Sequence, residues 1–314
     1  MIDFRYHLVS IISVFLALAV GIVVGTTALN GVIVDDLRQR VDGLAADKRA
    51  REQTITEQQR QVSSANAFAN AIAVDQVAGR LEGRRVALIS MPGVSAEVRS
   101  SLTTVLEQSG AVLTTRVRLG DAFADANREA EVEGVATDAA RVQGVSLDGQ
   151  SSTADRVAAA LSAALVGNGD ALGSPASQAA QKRALDPWRS ANLISVDQEE
   201  GPGELAIILV PDPPDPRPEE DVLTPQIVAL ARAVDSRDAG TVVAGSLDAA
   251  DGGALSAVRG ADGLPSRVST QDSIENPWGR ISLVLTAREE LAGTAGQFGS
   301  GPGTRAPFPV PGAR

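Results

Sequence analysis

From Leu8 to Leu29 the chain runs for 22 residues without a charge, LVSIISVFLALAVGIVVGTTAL. A helix rising about 1.5 Å per residue carries that run roughly 33 Å, enough to cross a hydrocarbon core of about 30 Å. The pattern therefore predicts one membrane-spanning helix within an N-terminal segment, residues 1–30. Its length, with apolar residues all round, argues against a buried core helix. A cleaved secretory signal is the competing reading. Its apolar core would be only about 7–15 residues long, and Thr26-Thr27-Ala28 is a weak cleavage site. Before the span lie Arg5 and the terminal amine against Asp3. After it, Arg38, Arg40, Lys48 and Arg49 are interleaved with Asp35, Asp36, Asp42 and Asp47. Long domains translocate largely regardless of charge, so a cytoplasmic N-terminus and an extracytoplasmic remainder are expected.

Beyond the span the period changes to 3.5. Val34, Leu37, Val41, Leu44, Ile55 and Val62 fall at successive a or d positions of a heptad, with Lys48, Arg51 and Gln58 interrupting the seam. Residues 31–79 hold no proline, and over 39 positions such a helix extends about 58 Å. The favoured reading is a coiled-coil stalk that pairs with a second copy or with another envelope protein. A long amphipathic helix packed on its own domain is the alternative. Inside the span, Ala17, Gly21 and Gly25 form a row of small residues of the kind that lets membrane helices approach closely. That row is out of phase with the seam: the same register puts Gly21 at b and Gly25 at f. Either the helix resets near Asn30-Gly31 or only one of the two faces is used.

From residue 80 the pattern alternates between short apolar runs and helical stretches. Strands are predicted at 84–90, 111–119, 192–196, 204–210, 241–245 and 281–286 (ISLVLT). Helices are predicted at 95–108, 121–133, 153–166, 177–190, 224–235 and 251–259, with 134–151 as loop. This order predicts an α/β domain, residues 80–292, built on a mostly parallel sheet whose strands are buried on both faces. Pro211 to Pro218 reads as an exposed extended loop. Residues 293–314, rich in glycine and proline, read as a disordered tail.

Composition removes most chemistry. The net charge is −11, which argues against nucleic acid, because phosphate binding needs a basic surface. There is no cysteine, and His7, beside the membrane, is the single histidine. Ser-His-Asp and Cys-His catalysis and His- or thiolate-bound zinc are therefore not available to the domain after residue 80. No P-loop or dinucleotide fingerprint occurs, and no catalytic, cofactor-binding or metal-ligating residue is assigned. Asp251-Gly252-Gly253 is a weak anion-loop candidate. Glu219-Glu220-Asp221 reads as a solvated helix start, and Trp278 as a packed turn residue.

Two segments carry a family resemblance. The head RYHLVSIISVFLALAVGIVVG, followed by the heptads, resembles the start of the actinobacterial copper transporter family MctB. The stretch from Val268-Ser269-Thr270-Gln271-Asp272-Ser273-Ile274 to Gly279-Arg280-Ile281-Ser282-Leu283-Val284-Leu285 resembles that family's closing motif. The resemblance covers nearly the whole chain apart from the tail. It implies an envelope protein linked to copper efflux and resistance, with a channel role in the outer mycolate layer, and it brings no catalytic or copper-binding motif.

The residues set limits on that role. A spanning barrel needs strands of about 9–11 residues with alternating polarity, and this chain has short, continuously apolar ones. Copper(I) favours thiolate and thioether ligands, and the methionines are Met1 and Met91 alone. Two functions are carried forward. One is a membrane-anchored participant in copper efflux, as part of a pore. The other is a non-enzymatic coiled-coil scaffold that recruits or regulates another envelope protein, such as a cell-wall hydrolase.

Overall fold

The computed structural model describes residues 4–167, 169, 172–215 and 221–310, with 27–36 and 38 described for their backbone only. The chain forms two compact units, Met1–Ala65 and Asn66–Arg314. Helix α1 (Phe4–Val77) is continuous and supplies the whole described part of the first unit. It passes through Asn30-Gly31 without a break, so no reset of the helix occurs there. Its last turns belong to the second unit, where Ala69 and Val77 are buried.

The second unit continues with β1 (Arg85–Ser90), α2 (Ala96–Gln108), β2 (Val112–Leu119), α3 (Glu129–Gln143), α4 (Thr153–Leu165) and α5 (Pro175–Ser190). Then follow β3 (Ile194–Glu199), β4 (Leu205–Leu209), α6 (Leu223–Asp235), β5 (Gly240–Ala244), α7 (Leu247–Ala250) and α8 (Ala254–Gly260). The chain closes with β6 (Ser269–Gln271), α9 (Pro277–Leu291) and β7 (Gln297–Phe298). Helix starts follow the local chemistry: Ser95, Ser152, Ser174 and Ser246 each accept a backbone N–H two or three residues into the helix.

The seven strands make one open sheet in the order β3-β2-β1-β4-β5-β6-β7. All neighbours are parallel except the edge pair β2–β3. Successive residues of a strand point to opposite faces, and here each face meets its own helical layer. Ala87, Ile89, Ala206, Ile208 and Val243 pack with α3, α4, α5, α6 and α8. Val86, Leu88, Leu205, Ile207 and Val242 pack with the end of α1, α2 and α9. In the larger layer Trp188 is fully buried and stacks on Phe123 with ring centroids 5.9 Å apart. The mostly parallel sheet expected from the continuous apolar runs is thus present.

Three expectations are corrected. ISLVLT, residues 281–286, is not the last strand; it lies inside α9. Leu283, Val284 and Ala287 are buried on one helical face, with Pro277 opening the helix, and a short apolar run does not by itself distinguish strand from helix. Residues 134–143 are not loop but the greater part of α3, which ends at Gly144 in the left-handed conformation. The tail is also ordered where described: Gln297–Phe298 pairs with Thr270–Gln271, and Phe298 bridges to Ala306. Residues 311–314 lie outside the described residues, as do Pro216, Arg217, Pro218, Glu219 and Glu220 of the predicted loop and helix start.

Candidate functional site

Two regions hold the residues singled out by the sequence, and each is described by itself. In the first unit, Phe4–Thr26 is long and apolar enough to cross a membrane. Ala17, Gly21 and Gly25 lie on this stretch, and a Cβ added at either glycine meets nothing within 4 Å. Among the described residues of the first unit, no contact requires glycine at either position. Further along α1, Leu37, Val41, Leu44, Ile55 and Val62 are all exposed; the side chain of Val34 lies outside the described residues. Since α1 is continuous, about 100° per residue places Gly21 and Gly25 roughly 160° and 120° around the helix from Leu37. The small-residue row and the heptad seam are separate faces.

In the second unit, an open α/β sheet offers its ligand crevice at the carboxyl ends of the strands, where the strand order reverses. That point lies between β1 and β4. There Gly93, which has φ of 86°, packs against Pro211: an added Cβ would come within 3.0 Å of Pro211 Cβ. A cavity of about 310 Å³ opens at the same end of the sheet, beside the loop Pro211–Pro214, the start of α6 and Gly252–Ala254. Both carboxylates on its wall are engaged: Asp212 accepts from Ser246 Oγ, and Asp221 Oδ1 accepts from the N–H groups of Leu223 and Thr224 at 3.1 and 3.0 Å. Gly253 of the anion-loop candidate has a packing role, since a Cβ there would lie 2.7 Å from Ala249 O.

The densest polar cluster was not singled out residue by residue from the sequence. It centres on the VSTQDSI segment. Asp272 is fully buried and pairs with Arg259 of α8 at 3.0 Å. Its Oδ1 accepts from Ser273 Oγ at 2.7 Å and from the N–H of Ser300 at 2.8 Å; Oδ2 accepts from the N–H of Gly301 at 3.1 Å. Arg259 also donates to the carbonyls of Phe298 and Pro302 at 3.0 and 2.8 Å. Burial pushes the Arg259 guanidinium down from its ordinary range, and the Asp272 carboxylate opposes that shift. Next to it, Gln271 Oε1 accepts from Ser282 and Thr286 of α9.

Glu290, near the end of α9, accepts from the Thr241 N–H at 3.2 Å and from Ser269 Oγ, and Ser269 Oγ in turn accepts from the Gly296 N–H at 3.0 Å. Burial pushes the Glu290 carboxyl up to about 7. These bonds hold the glycine-rich segment against β6 and α9, and every polar atom named in them faces another part of the chain. The cluster is a latch and offers no open position to a substrate. The sequence signal for it was the motif itself, whose two consecutive polar residues Gln271 and Asp272 sit in a position that would otherwise end a buried strand.

Among the described residues of the second unit, none presents a soft metal ligand at the surface. Met91 is 3% exposed and belongs to the larger core layer. Among the described residues, no group of three or more His, Asp or Glu side chains is placed to hold a metal ion.

The comparisons with known proteins agree with one another. A family model described as "Copper transport outer membrane protein, MctB" matches residues 1–309. The Copper transporter MctB of Mycobacterium tuberculosis (strain ATCC 25618 / H37Rv) is 25% identical over 316 residues, covering 96% of this chain and 98% of the relative. The protein of the same name from Mycobacterium leprae (strain TN) is 27% identical over 322 residues, with the same two coverages of 96% and 98%.

Proposed function

This chain belongs to the MctB family, and from that premise we propose that it is a single-span envelope protein taking part in copper efflux and resistance. Its N-terminus lies in the cytoplasm and its α/β domain outside the cytoplasmic membrane. Copper is the cargo, and the domain does not chelate it. The observation that carries this reading is the contrast between the exposed apolar helix Phe4–Thr26 and a domain whose one methionine, Met91, is in the core. Copper(I) selects thiolate and thioether donors, then imidazole, and residues 66–314 have no cysteine, no histidine and a single methionine. The ion path is then supplied by several associated spans or by a partner.

A strain deleted for the gene should become copper-sensitive and regain resistance with the intact chain. A reporter active only outside the cytoplasm, fused at the C-terminus, should be active. Residues 66–314, titrated in competition with a copper(I) chelator, should not capture the metal; stoichiometric nanomolar capture would restore direct binding.

The exposed seam of Leu37, Val41, Leu44, Ile55 and Val62 favours a second reading, a non-enzymatic scaffold that recruits or regulates another envelope protein such as a cell-wall hydrolase. An open sheet covered on both faces supports it as well, since its longest strand, β2, has 8 residues, short of the roughly 9–11 of a spanning strand. The purified full chain in planar bilayers separates the two: discrete conductance supports a pore, and its absence together with a captured envelope partner supports the scaffold.

A further inference from the structure

Among the described residues of the first unit, nothing covers the apolar stripe of α1. Leu37, Val41, Leu44, Ile55 and Val62 are 60, 56, 69, 52 and 56% exposed. Between Leu44 and Ile55 the seam is occupied by Lys48 at an a position and Arg51 at a d position. Asp47 at g and Glu52 at e flank them. In the single helix Lys48 Nζ stands 3.6 Å from Glu52 Oε1.

We propose that residues 37–65 of α1 pair with the same residues of a second copy as a parallel, in-register, two-stranded coiled coil, with the charged layer 47–52 setting the register. In such a coil an a side chain packs beside the g residue of the other helix, and a d side chain beside its e residue. Lys48 therefore meets the Asp47 carboxylate of the second copy, and Arg51 meets its Glu52. Both seam cations of each helix then have an opposite charge across the interface.

Slipping by one heptad destroys this. On one side Lys48 would face Thr54 and Arg51 would face Gln59. On the other Lys48 would face Arg40 and Arg51 would face Ala45, so each of the a–g and d–e ion pairs of this layer is lost. A polar seam position that specifies register at some cost in stability is an established use of such residues.

The direction follows from the single-span reading, on which this proposal rests. Two copies inserted N-terminus first in one membrane point the same way, and their spans end at the same depth. Parallel orientation is thus imposed before the seam forms, and the charged layer fixes the heptad register. The row Ala17, Gly21 and Gly25 lies on another face of the same helix and is left free by this dimer.

The cysteine-free chain permits a direct test in membranes. Full-length chain carrying Leu44→Cys, on the seam, should cross-link to itself under a mild oxidant, whereas Gln53→Cys, on the outer face, should not. Lys48→Glu with Arg51→Glu in one copy should abolish the Leu44→Cys cross-link. Coexpression with a copy carrying Asp47→Lys and Glu52→Lys should restore it as a mixed dimer, because all four contacts are then complementary again. Equal cross-linking at both positions, a dimer unaffected by the charge reversal, or no self-cross-link from a chain that fractionates with the membrane would overturn the proposal. Release of the intact chain from membranes by alkaline wash would instead overturn the span.

Discussion

Asp272, one residue past β6, and Arg259 on α8 form an ion pair at 3.0 Å with side chains 0 and 5% exposed. Buried charges persist where they are paired and their remaining hydrogen-bonding capacity is filled. Here the filling comes from Ser273, Ser300, Gly301, Phe298 and Pro302, three of which belong to a stretch with glycine at 299, 301 and 303. Gly299 has φ of 127°, and a Cβ there would lie 2.1 Å from Asp272 Oδ1. The composition that made this stretch read as disorder is what lets the backbone close around a buried carboxylate.

Asp272→Asn should therefore destabilise the α/β unit by about 3–5 kcal/mol, the cost of leaving a buried cation without its partner. Urea denaturation followed by circular dichroism measures it. Limited proteolysis should also open between residues 296 and 310 in the variant before the rest of the domain is cut. An unchanged midpoint would place the anchorage of this segment elsewhere.

Glu290 gives a pH dependence of defined sign. Burial raises its folded-state pKa from 4.5 to about 7. The folded protein therefore binds the proton more tightly than the unfolded chain between these values. Its contribution is fully present below pH 4.5 and is lost as pH rises through 7. At about 1.4 kcal/mol per unit, the loss is on the order of 3 kcal/mol. Glu290→Gln should flatten the stability profile between pH 4.5 and 8, measured by denaturation midpoints across that range. A variant that kept the slope would assign the titration to another group.

Gly279→Ala should be more damaging than its size suggests. The added Cβ would lie 2.0 Å from the Ser273 carbonyl oxygen, and Ser273 is itself held at φ of 62°. Neither partner has room to yield, so a loss of about 3 kcal/mol or more is expected, the upper end for overpacking. Gly134→Ala, on α3 with open space at its Cβ, is the matched control. It should gain about 0.5–1 kcal/mol from helix propensity. Thermal melts of the two variants side by side decide the point.

Replacing Leu37, Leu44 and Val62 together by Asp should abolish association through α1 and leave the α/β unit folded. All three side chains are exposed in the single chain, so the substitutions remove no buried contact within it. They would, however, place unpaired carboxylates in a helix seam. Sedimentation velocity reads the association, and near-UV circular dichroism reads the fold. Loss of the domain signal would show that the helix belongs to its core.

What the sequence determined by itself were the features set by local geometry. A 22-residue uncharged run, a 3.5-residue period and apolar strands at 85–90 and 205–209 are read directly, because rise per residue and side-chain direction are properties of the chain. The alternation of strand and helix likewise carried the mostly parallel sheet. Tertiary structure decided the rest. ISLVLT became helix because Ser282 and Thr286 must reach Gln271 and Leu283 must reach the sheet. β6 and β7 are 3 and 2 residues long, too short for any period to show. Arg259, Asp272 and Gly301 come from a helix, a strand end and a glycine-rich segment, and nothing in their spacing announces that they meet. An ion pair of this kind gains its strength from burial, and burial is a property of the folded whole.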